Sequence, residues 1–387
     1  MNEAVKQSGY AAGMLRLMLK QLGARLGLVW IGLLAFAAVF APLLANSRPL
    51  LLSEHGHLQS PALAAFTPAD ATLLLMFLSS GILFWPRLPF LRRLAIWLAG
   101  GAIITTLSLI LLHPPQITVY EQYREAEAAG RYDWVVHAPI PYSARDYQRD
   151  RGDVALQAPL ADPGHVHWLG TDANGADVLS RMIHASRIAL AIGFIATGIA
   201  MLIGTILGGL MGYFSGIVDI VGMRLVEIFE AVPTLFLLLT FVAFFGRSLY
   251  LMMVIIGLTA WPGYARYVRA EYLKLRAQDF VQAAVAGGLP LRSILFRHML
   301  PNAMAPLLVA ASFGVASAIL AEATLSFLGL GLVDSPSWGQ MLNQAVQSST
   351  FYWWMAIFPG GAIFFTVFAY NLIGEALRDV IDPYLQR

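Results

Sequence analysis

An all-α, polytopic membrane fold is the class this sequence predicts, and three observations predict it. Hydrophobic residues make up 58% of the 387 residues and charged residues only 12%, with a mean hydropathy of +0.66. A soluble domain carries roughly 45–50% apolar and about 25% charged residues, so in water this chain would leave a large apolar surface uncovered. Apolar runs recur near 26–45, 187–213, 229–246, 249–265, 303–325 and 353–374, with shorter ones near 70–86 and 94–112. Backbone groups in hydrocarbon must be satisfied within the segment, so each run reads as a helix. That makes about eight helices.

The first run, Leu26–Ala45, follows Lys6, Arg16, Lys20 and Arg25. At about 20 residues it exceeds the 7–15-residue apolar core of a signal peptide and matches a bilayer span, so it reads as an uncleaved first helix. The runs near 70–86 and 94–112 form a hairpin, the first being the weakest span, between Pro68 and Pro86. Omitting both leaves the later topology unchanged, whereas omitting one inverts it. The stretch 113–186, rich in Pro, Tyr, Asp and Arg, is the one long polar segment and reads as a loop domain on the helix ends.

Basic residues in short loops set the orientation. The connector 266–302 holds Arg266, Arg269, Lys274, Arg276, Arg292 and Arg297, whereas 326–352 holds neither Lys nor Arg. The first is therefore expected in the cytoplasm and the second outside. Both termini and the turn with Arg87, Arg92 and Arg93 then fall inside, and 113–186 falls outside. The rings of Phe351, Tyr352, Trp353 and Trp354 fall at the outer interface, where aromatic side chains gather. The expected order is 1–45 (tail and first helix), 46–112 (outer segment and hairpin), 113–186 (outer loop domain), 187–375 (helical core with connector 266–302) and 376–387 (cytoplasmic tail).

Two short elements interrupt this apolar plan. In GTILGGLMGYFSG, Gly204, Gly208, Gly212 and Gly216 recur every four residues and make a ridge that another helix backbone can approach, from this chain or from a second subunit. In the connector, QDFVQAAVAGG reads as a short helix that Asp279 begins and Gly287-Gly288 closes. Pro290 enforces the break, and LRSILFRHML restarts a helix that Pro301 and Asn302 punctuate. Two short helices at an angle make a protruding elbow. Ala283, Ala284 and Gly288 leave room for another protein to approach, with Arg292 and Arg297 at the rim. An amphipathic hairpin lying on the membrane is the other reading of the same spacing.

No catalytic constellation is present: GxxxxGK[ST], HExxH and GxSxG are all missing. The aspartates of GTDANGAD sit in a polar turn before a helix, where Asp172 reads as a local cap. His165 and His167 alternate as an extended pair would, but no third ligand lies nearby, so they read as loop-surface residues and no metal centre is expected. The chain has no cysteine, which removes disulfides and thiolate sites, and its net charge of +2 gives no footprint for nucleic acid. Glu322 is an ionisable group within a span, hence a functional suspect; it either bonds a neighbouring helix or lines a substrate path. Glu227 and Glu230 read as the start of a helix, where the N-terminal dipole favours them, with Pro233 as a kink or first-turn proline.

The connector motif resembles a known family. Ala283-Ala284, Gly288 and Leu300-Pro301 resemble the EAA…G…LP loop of bacterial ABC-importer permeases, and RHMLPNAM resembles its form in the peptide-importer branch. The segments HWLGTDANGADVLSRMIHASRIAL (167–190), AEATLSFLGLGL (321–332), PSWGQML (336–342) and GEALRDVIDP (374–383) resemble that branch as well. The likeness covers about 160 to the end, plus the first helix. Within the branch, ANSRPLLL, WVVHAPIPYS and WLGTDANG are most similar to the Yej-type permease, a subunit of an importer of oligopeptides and of microcin C. Three features depart from the pattern: Gln282 stands where the loop glutamate is usual, Ala176 stands where arginine is common, and the hairpin 70–112 is additional.

The resemblance implies a MetI-like core of about six helices in a bacterial inner membrane, with no enzymatic activity on this chain. ATP and Mg would be bound by a separate cytoplasmic ATPase, and the other partners would be a homologous permease subunit, a periplasmic solute-binding protein and membrane lipid. It assigns ATPase coupling to Asp279, Gln282, Ala283, Ala284, Gly287, Gly288, Arg292, Arg297 and Pro301, and the outer signature to Gly170, Thr171, Asp172, Gly175 and Asp177. The cargo it implies is an oligopeptide or a peptide conjugate, with a dipeptide- or nickel-type permease as the alternative. An ion-driven secondary transporter would need paired ionisable groups near the membrane midplane, and these are nearly absent. A membrane scaffold without transport would leave the small-residue elbow unexplained.

Overall fold

The computed structural model describes residues 13, 16–84, 90–115, 119–152, 154–332, 335–348 and 350–381. They fall into two compact units, one built mainly from 32–187 and 334–360, the other from 14–31, 188–333 and 361–387.

In the first unit the chain leaves helix α1 (Leu22–Leu44) and bridges from Ala45 to Ile140. Strand β1 (Leu51–Glu54) turns through His55 and Gly56, both at positive φ, into β2 (His57–Gln59). β1 also pairs with β3 (Trp134–Val136), giving the antiparallel order β2-β1-β3. This small sheet corrects the all-helical expectation locally. Strands of three or four residues carry too little alternation to register as a pattern, and one of the two pairings joins segments far apart in sequence. Ser47 and Ser143 exchange hydrogen bonds of 2.8 and 2.7 Å between backbone N–H and side-chain hydroxyl, and Ser47 Oγ donates to Asp146. The segments before and after the hairpin are thus one folded body, closed by α4 (Glu121–Ala128), whose Arg124 pairs with Asp146 and Asp150.

Between them lies the hairpin. Helix α2 (Pro68–Ser79) opens with a capping box between Thr67 and Asp70 and is prolonged by the 3₁₀ turn Ser80–Phe84. It is shorter than the run of about 20 residues a bilayer asks for. Its partner α3 (Phe90–Leu111) has that length, yet only 11% of its apolar stretch is buried.

The second unit is helical. Its elements are the later part of α5 (Val178–Phe214), then α6 (Gly216–Ala231), α7 (Thr234–Phe245), α8 (Leu249–Arg276), α9 (Asp279–Ala286), a π turn (Ser293–Met299) and α10 (Leu300–Leu325). A second π turn (Ser326–Leu330) precedes α11 (Trp338–Gln347) of the first unit and α12 (Trp353–Ile381). Among the described residues five helices are long and apolar enough to cross a membrane by length and composition, or six if α6 and α7 together make one bent span.

That bend corrects the single helix expected over 229–246. α6 and α7 meet at 77°, with Val232 extended and Pro233 holding the position before α7. The residue before a proline is driven out of helical geometry, so Pro233 separates two helices instead of kinking one. Glu227 and Glu230 consequently sit at the end of α6, where the dipole disfavours anions; ion pairs with Arg224 and Arg266 neutralise them. The proline of the connector acts the other way. Pro301 lies in the first turn of α10, and the helix runs on through it from the π turn, where Leu300 N–H reaches back to Leu295 C=O. Pro301 has no N–H to offer the turn before it, and that turn is the wider π segment, where the bonding pattern is already shifted.

The glycine ridge packs within this chain. A Cβ at Gly212 would fall 2.6 Å from Tyr272 Cβ and 2.7 Å from the Arg269 carbonyl, and one at Gly204 or Gly208 would strike Tyr264 or Ala265. These three glycines let α5 lie against α8. Gly216 does not join them: α5 ends at Phe214, and Gly216 opens α6 at φ +55. Gly208→Ala is expected to lower the melting temperature in detergent. Overpacking costs about 1–3 kcal/mol, which outweighs the gain of about 1 kcal/mol that alanine brings to a helix interior. An unchanged melting temperature would show that the two helices do not touch there.

Candidate functional site

The connector forms a stapled elbow. Helix α9 starts after the extended Gln278, whose carbonyl accepts the Val281 and Gln282 N–H groups. The Gln282 amide donates 2.7 Å to the Arg276 carbonyl, tying α9 to the end of α8. At its other end Leu289 N–H bonds Ala284 C=O, Gly288 N–H bonds Val285 C=O, and Gly288 sits at φ +68. This is a Schellman stop, which needs a left-handed residue and so selects glycine. Val281 and Ala284 face inward onto Tyr272, Ile294, Leu295 and Met299, and the Tyr272 hydroxyl donates 3.1 Å to Leu295 C=O.

This corrects one expectation. Ala284 is only 7% exposed, so it packs the elbow and offers no surface to another protein. The outer face consists of Phe280, Gln282, Ala283 and Val285, continuing to Gly287, Gly288, Leu289 and Leu291. Asp279, Arg292, Arg297 and Pro301 are exposed around it. Of the connector's six basic residues, Arg266 and Arg269 pair with Glu230 and Asp219, Lys274 with Glu271, and Arg276 donates to Ser215. Arg292 and Arg297 enter no ion pair among the described residues.

The outer signature is built inward. Gly170 stands at φ +78 where a Cβ would press on Gln157 C=O and the Trp354 ring. Trp354 Nε1 donates 3.0 Å to the Thr171 carbonyl, so this ring is buried instead of resting in the outer aromatic belt; Trp353 and Phe351 remain exposed. Thr171 Oγ1 donates to Val154 C=O and accepts from Gln157 N–H. Asp172 caps its own turn: Oδ1 accepts from Asn174 and Ala176 N–H, and Oδ2 pairs with Arg181. Gly175, at φ +86, gives its carbonyl to the Gln148 amide. Asp177 caps α5 by accepting 2.7 Å from Ser180 N–H.

His167 belongs to this knot and is no surface residue. It is 1% exposed, bonds Asp177 through Nδ1 at 2.8 Å and stacks on Tyr142 at 4.3 Å. His165 is exposed beside Asp162. Among the described residues no group of three or more His, Cys, Asp or Glu is arranged to hold a metal. Sequence reasoning missed Arg181, Gln148 and Trp354. The only available signal was an arginine three residues into a helix whose preceding turn is acidic.

Within the second unit a chamber of about 460 Å³ lies among α5, α7, α8 and α10. Thr197, Thr234, Thr259, Tyr264, Tyr267 and Ser317 put hydroxyls on its wall, and among the described residues no charged side chain lines it. The Tyr264 hydroxyl fits the notch left by Gly314 and faces Ala310 C=O at 3.4 Å. Glu322 lies outside this lining; it is 4% exposed and accepts 2.6 Å from Ser326 Oγ, one turn along.

Comparison with known proteins agrees with the motifs. Residues 204–387 match the family described as binding-protein-dependent transport system inner membrane component. A dipeptide transport system permease protein of Alkalihalophilus pseudofirmus is 34% identical over 76% of this chain and 88% of its own length. An oligopeptide transport system permease protein of Haemophilus influenzae is 40% identical over 56% of this chain and 70% of its own. Among solved structures, the MetNI methionine ABC transporter in inward-facing conformations has a chain matching 53% of this one and 98% of its own, at 20% identity and a TM-score of 0.45.

Proposed function

This chain belongs to the family of binding-protein-dependent transport system inner membrane components, and on that premise we propose that it is a permease subunit of an ATP-driven peptide importer. It is a multi-pass inner-membrane protein. The dipeptide and oligopeptide permeases it is similar to support peptides as the cargo class. Microcin C and related peptide conjugates are the finer assignment, supported by ANSRPLLL, WVVHAPIPYS and WLGTDANG. Both termini and the elbow face the cytoplasm in this reading, supported by the contrast between the basic connector and the segment 326–352, which holds neither Lys nor Arg.

The observation that carries the proposal is the elbow. A short helix whose inner face is packed on α8 and on the π turn that leads into α10, and whose outer face shows Phe280, Ala283 and Leu289 beside Arg292 and Arg297, suits docking in a groove of another protein. A separate ATPase would press on that face as it closes on ATP, and the load would pass through Tyr272 and Met299 into α8 and α10. A homologous permease would complete the pathway, and an external binding protein would deliver the peptide. Affinity-tagged chain purified in mild detergent is expected to bring down an ATPase stoichiometrically. Repeated purification of the chain without one, under conditions that retain the second permease, would overturn the assignment.

A further inference from the structure

We propose that the outer loop domain carries a ligand site of its own: the pocket between its sheet and α4 holds a short free peptide by its two charged ends. The pocket encloses about 580 Å³ and is built entirely from the first unit. That size falls within the roughly 300–1,000 Å³ usual for small-ligand sites. Alternation along β1 puts Leu52 and Glu54 on one side of the sheet, and both line the pocket. Tyr123 and Ala126, three residues apart on α4, line it from the other side. Leu52 and Ala126 are buried and supply the apolar part of the wall, while Gln59, Gln122, Tyr123 and Tyr132 bring amides and hydroxyls.

Two opposite charges line this pocket without meeting. Glu54 and Arg131 enter no ion pair and no side-chain hydrogen bond among the described residues. The ionisable groups around them are already committed. Asp133 accepts from Ser53 Oγ and Gly56 N–H, Glu127 pairs with His137, and Arg124 pairs with Asp146 and Asp150. Tyr132 stands near both free charges: burial raises the pKa of its hydroxyl, Glu54 adds to the rise and Arg131 opposes it. This wall narrows the occupant by its chemistry. A phosphate would meet Arg131 but be repelled by Glu54, and a metal cation would find one carboxylate beside a guanidinium. An apolar tail would leave the charges and amides unanswered. A zwitterion answers all of them. Its ammonium donates to Glu54 and its carboxylate accepts from Arg131, both in charge-assisted bonds. The peptide N–H and C=O between the two ends meet hydroxyls and side-chain amides, which donate and accept. The site therefore reads a peptide by its free ends and leaves its side chains unread.

Calorimetric titration of the full chain in mild detergent tests this with three probes: trialanine, N-acetyl-trialanine and trialanine amide. The parent chain is expected to bind trialanine and to bind each blocked peptide about tenfold more weakly, the effect of losing one charge-assisted hydrogen bond. Glu54→Gln should bind trialanine about tenfold more weakly and no longer distinguish it from the acetylated peptide. Arg131→Gln should lose the distinction between trialanine and its amide in the same way. Neither side chain holds a partner in the fold, so both variants are expected to keep the parent melting temperature. Should either variant unfold, the blocked peptides decide on the parent chain alone, and equal affinity for all three overturns the site. No binding of trialanine by the parent overturns it too, as does binding that both variants leave unchanged, which would place the peptide elsewhere on the chain. The titration involves neither ATPase nor transport, so each of these failures leaves the importer reading standing.

Discussion

Ala283→Arg is expected to leave the chain folded and inserted while abolishing ATP-driven uptake, whereas Ala284→Arg is expected to abolish the folded subunit. The two alanines are neighbours in sequence and opposite in environment. Ala283 stands on the outer face of α9, and its carbonyl serves only the Gly287 N–H in the helix stop. An arginine there finds solvent, so the melting temperature should hold within the range of surface substitutions, about 0.5 kcal/mol. The same side chain would stand between the elbow and any groove that receives it. Ala284 is packed against the cluster of Tyr272, Ile294, Leu295 and Met299. An unpaired charge forced into that cluster costs several kcal/mol, a large share of a total stability of about 5–15 kcal/mol. Membrane yield and melting temperature separate the two outcomes, and ATPase pull-down reads the first. Parent-rate uptake by Ala283→Arg would show that this face docks nothing. A normal melting temperature for Ala284→Arg would show that α9 does not pack as described.

How much of this was legible beforehand follows from the kind of signal each part leaves. Long helices announce themselves by length and composition, so α1, α5, α10 and α12 stood close to their expected places. The elbow was legible because glycine and proline punctuate it. Its facing was not: the choice between Ala283 and Ala284 depends on what Val281 packs against, and those partners lie beyond Pro290. The bend at Pro233 leaves no clear sign, because a proline near a helix start is compatible with one helix or two and only the extended Val232 decides. The sheet left almost no trace, since β1 finds β3 about 80 residues away, across the hairpin. A polar loop suggests exposure for His167, and the structure buries it. Its burial is imposed by Tyr142 and Gln148 of one loop and by Asp177 at the start of α5.

The same lesson sets the second large effect, in the outer signature. Asp172 and Arg181 are 1% and 5% exposed and bonded to each other. Arg181→Met is expected to lower stability by about 3–5 kcal/mol, because it leaves a buried carboxylate without its counter-charge. Asp172→Asn should be milder on the turn itself, since the remaining oxygen can still accept from Asn174 and Ala176 N–H. It strands the guanidinium, however, and is expected to cost a comparable amount. The double variant should recover a good part of the loss, because a buried pair offsets its own desolvation only when both members are present. Thermal unfolding of the four proteins in one detergent gives the coupling directly. Strongly non-additive losses would mean that the signature acts as a rigid knot, shaping the start of α5 through Asp177 and Ser180 and holding Trp354 against Thr171. Additive losses would detach the ion pair from the fold and leave both residues as candidates for direct contact with a partner.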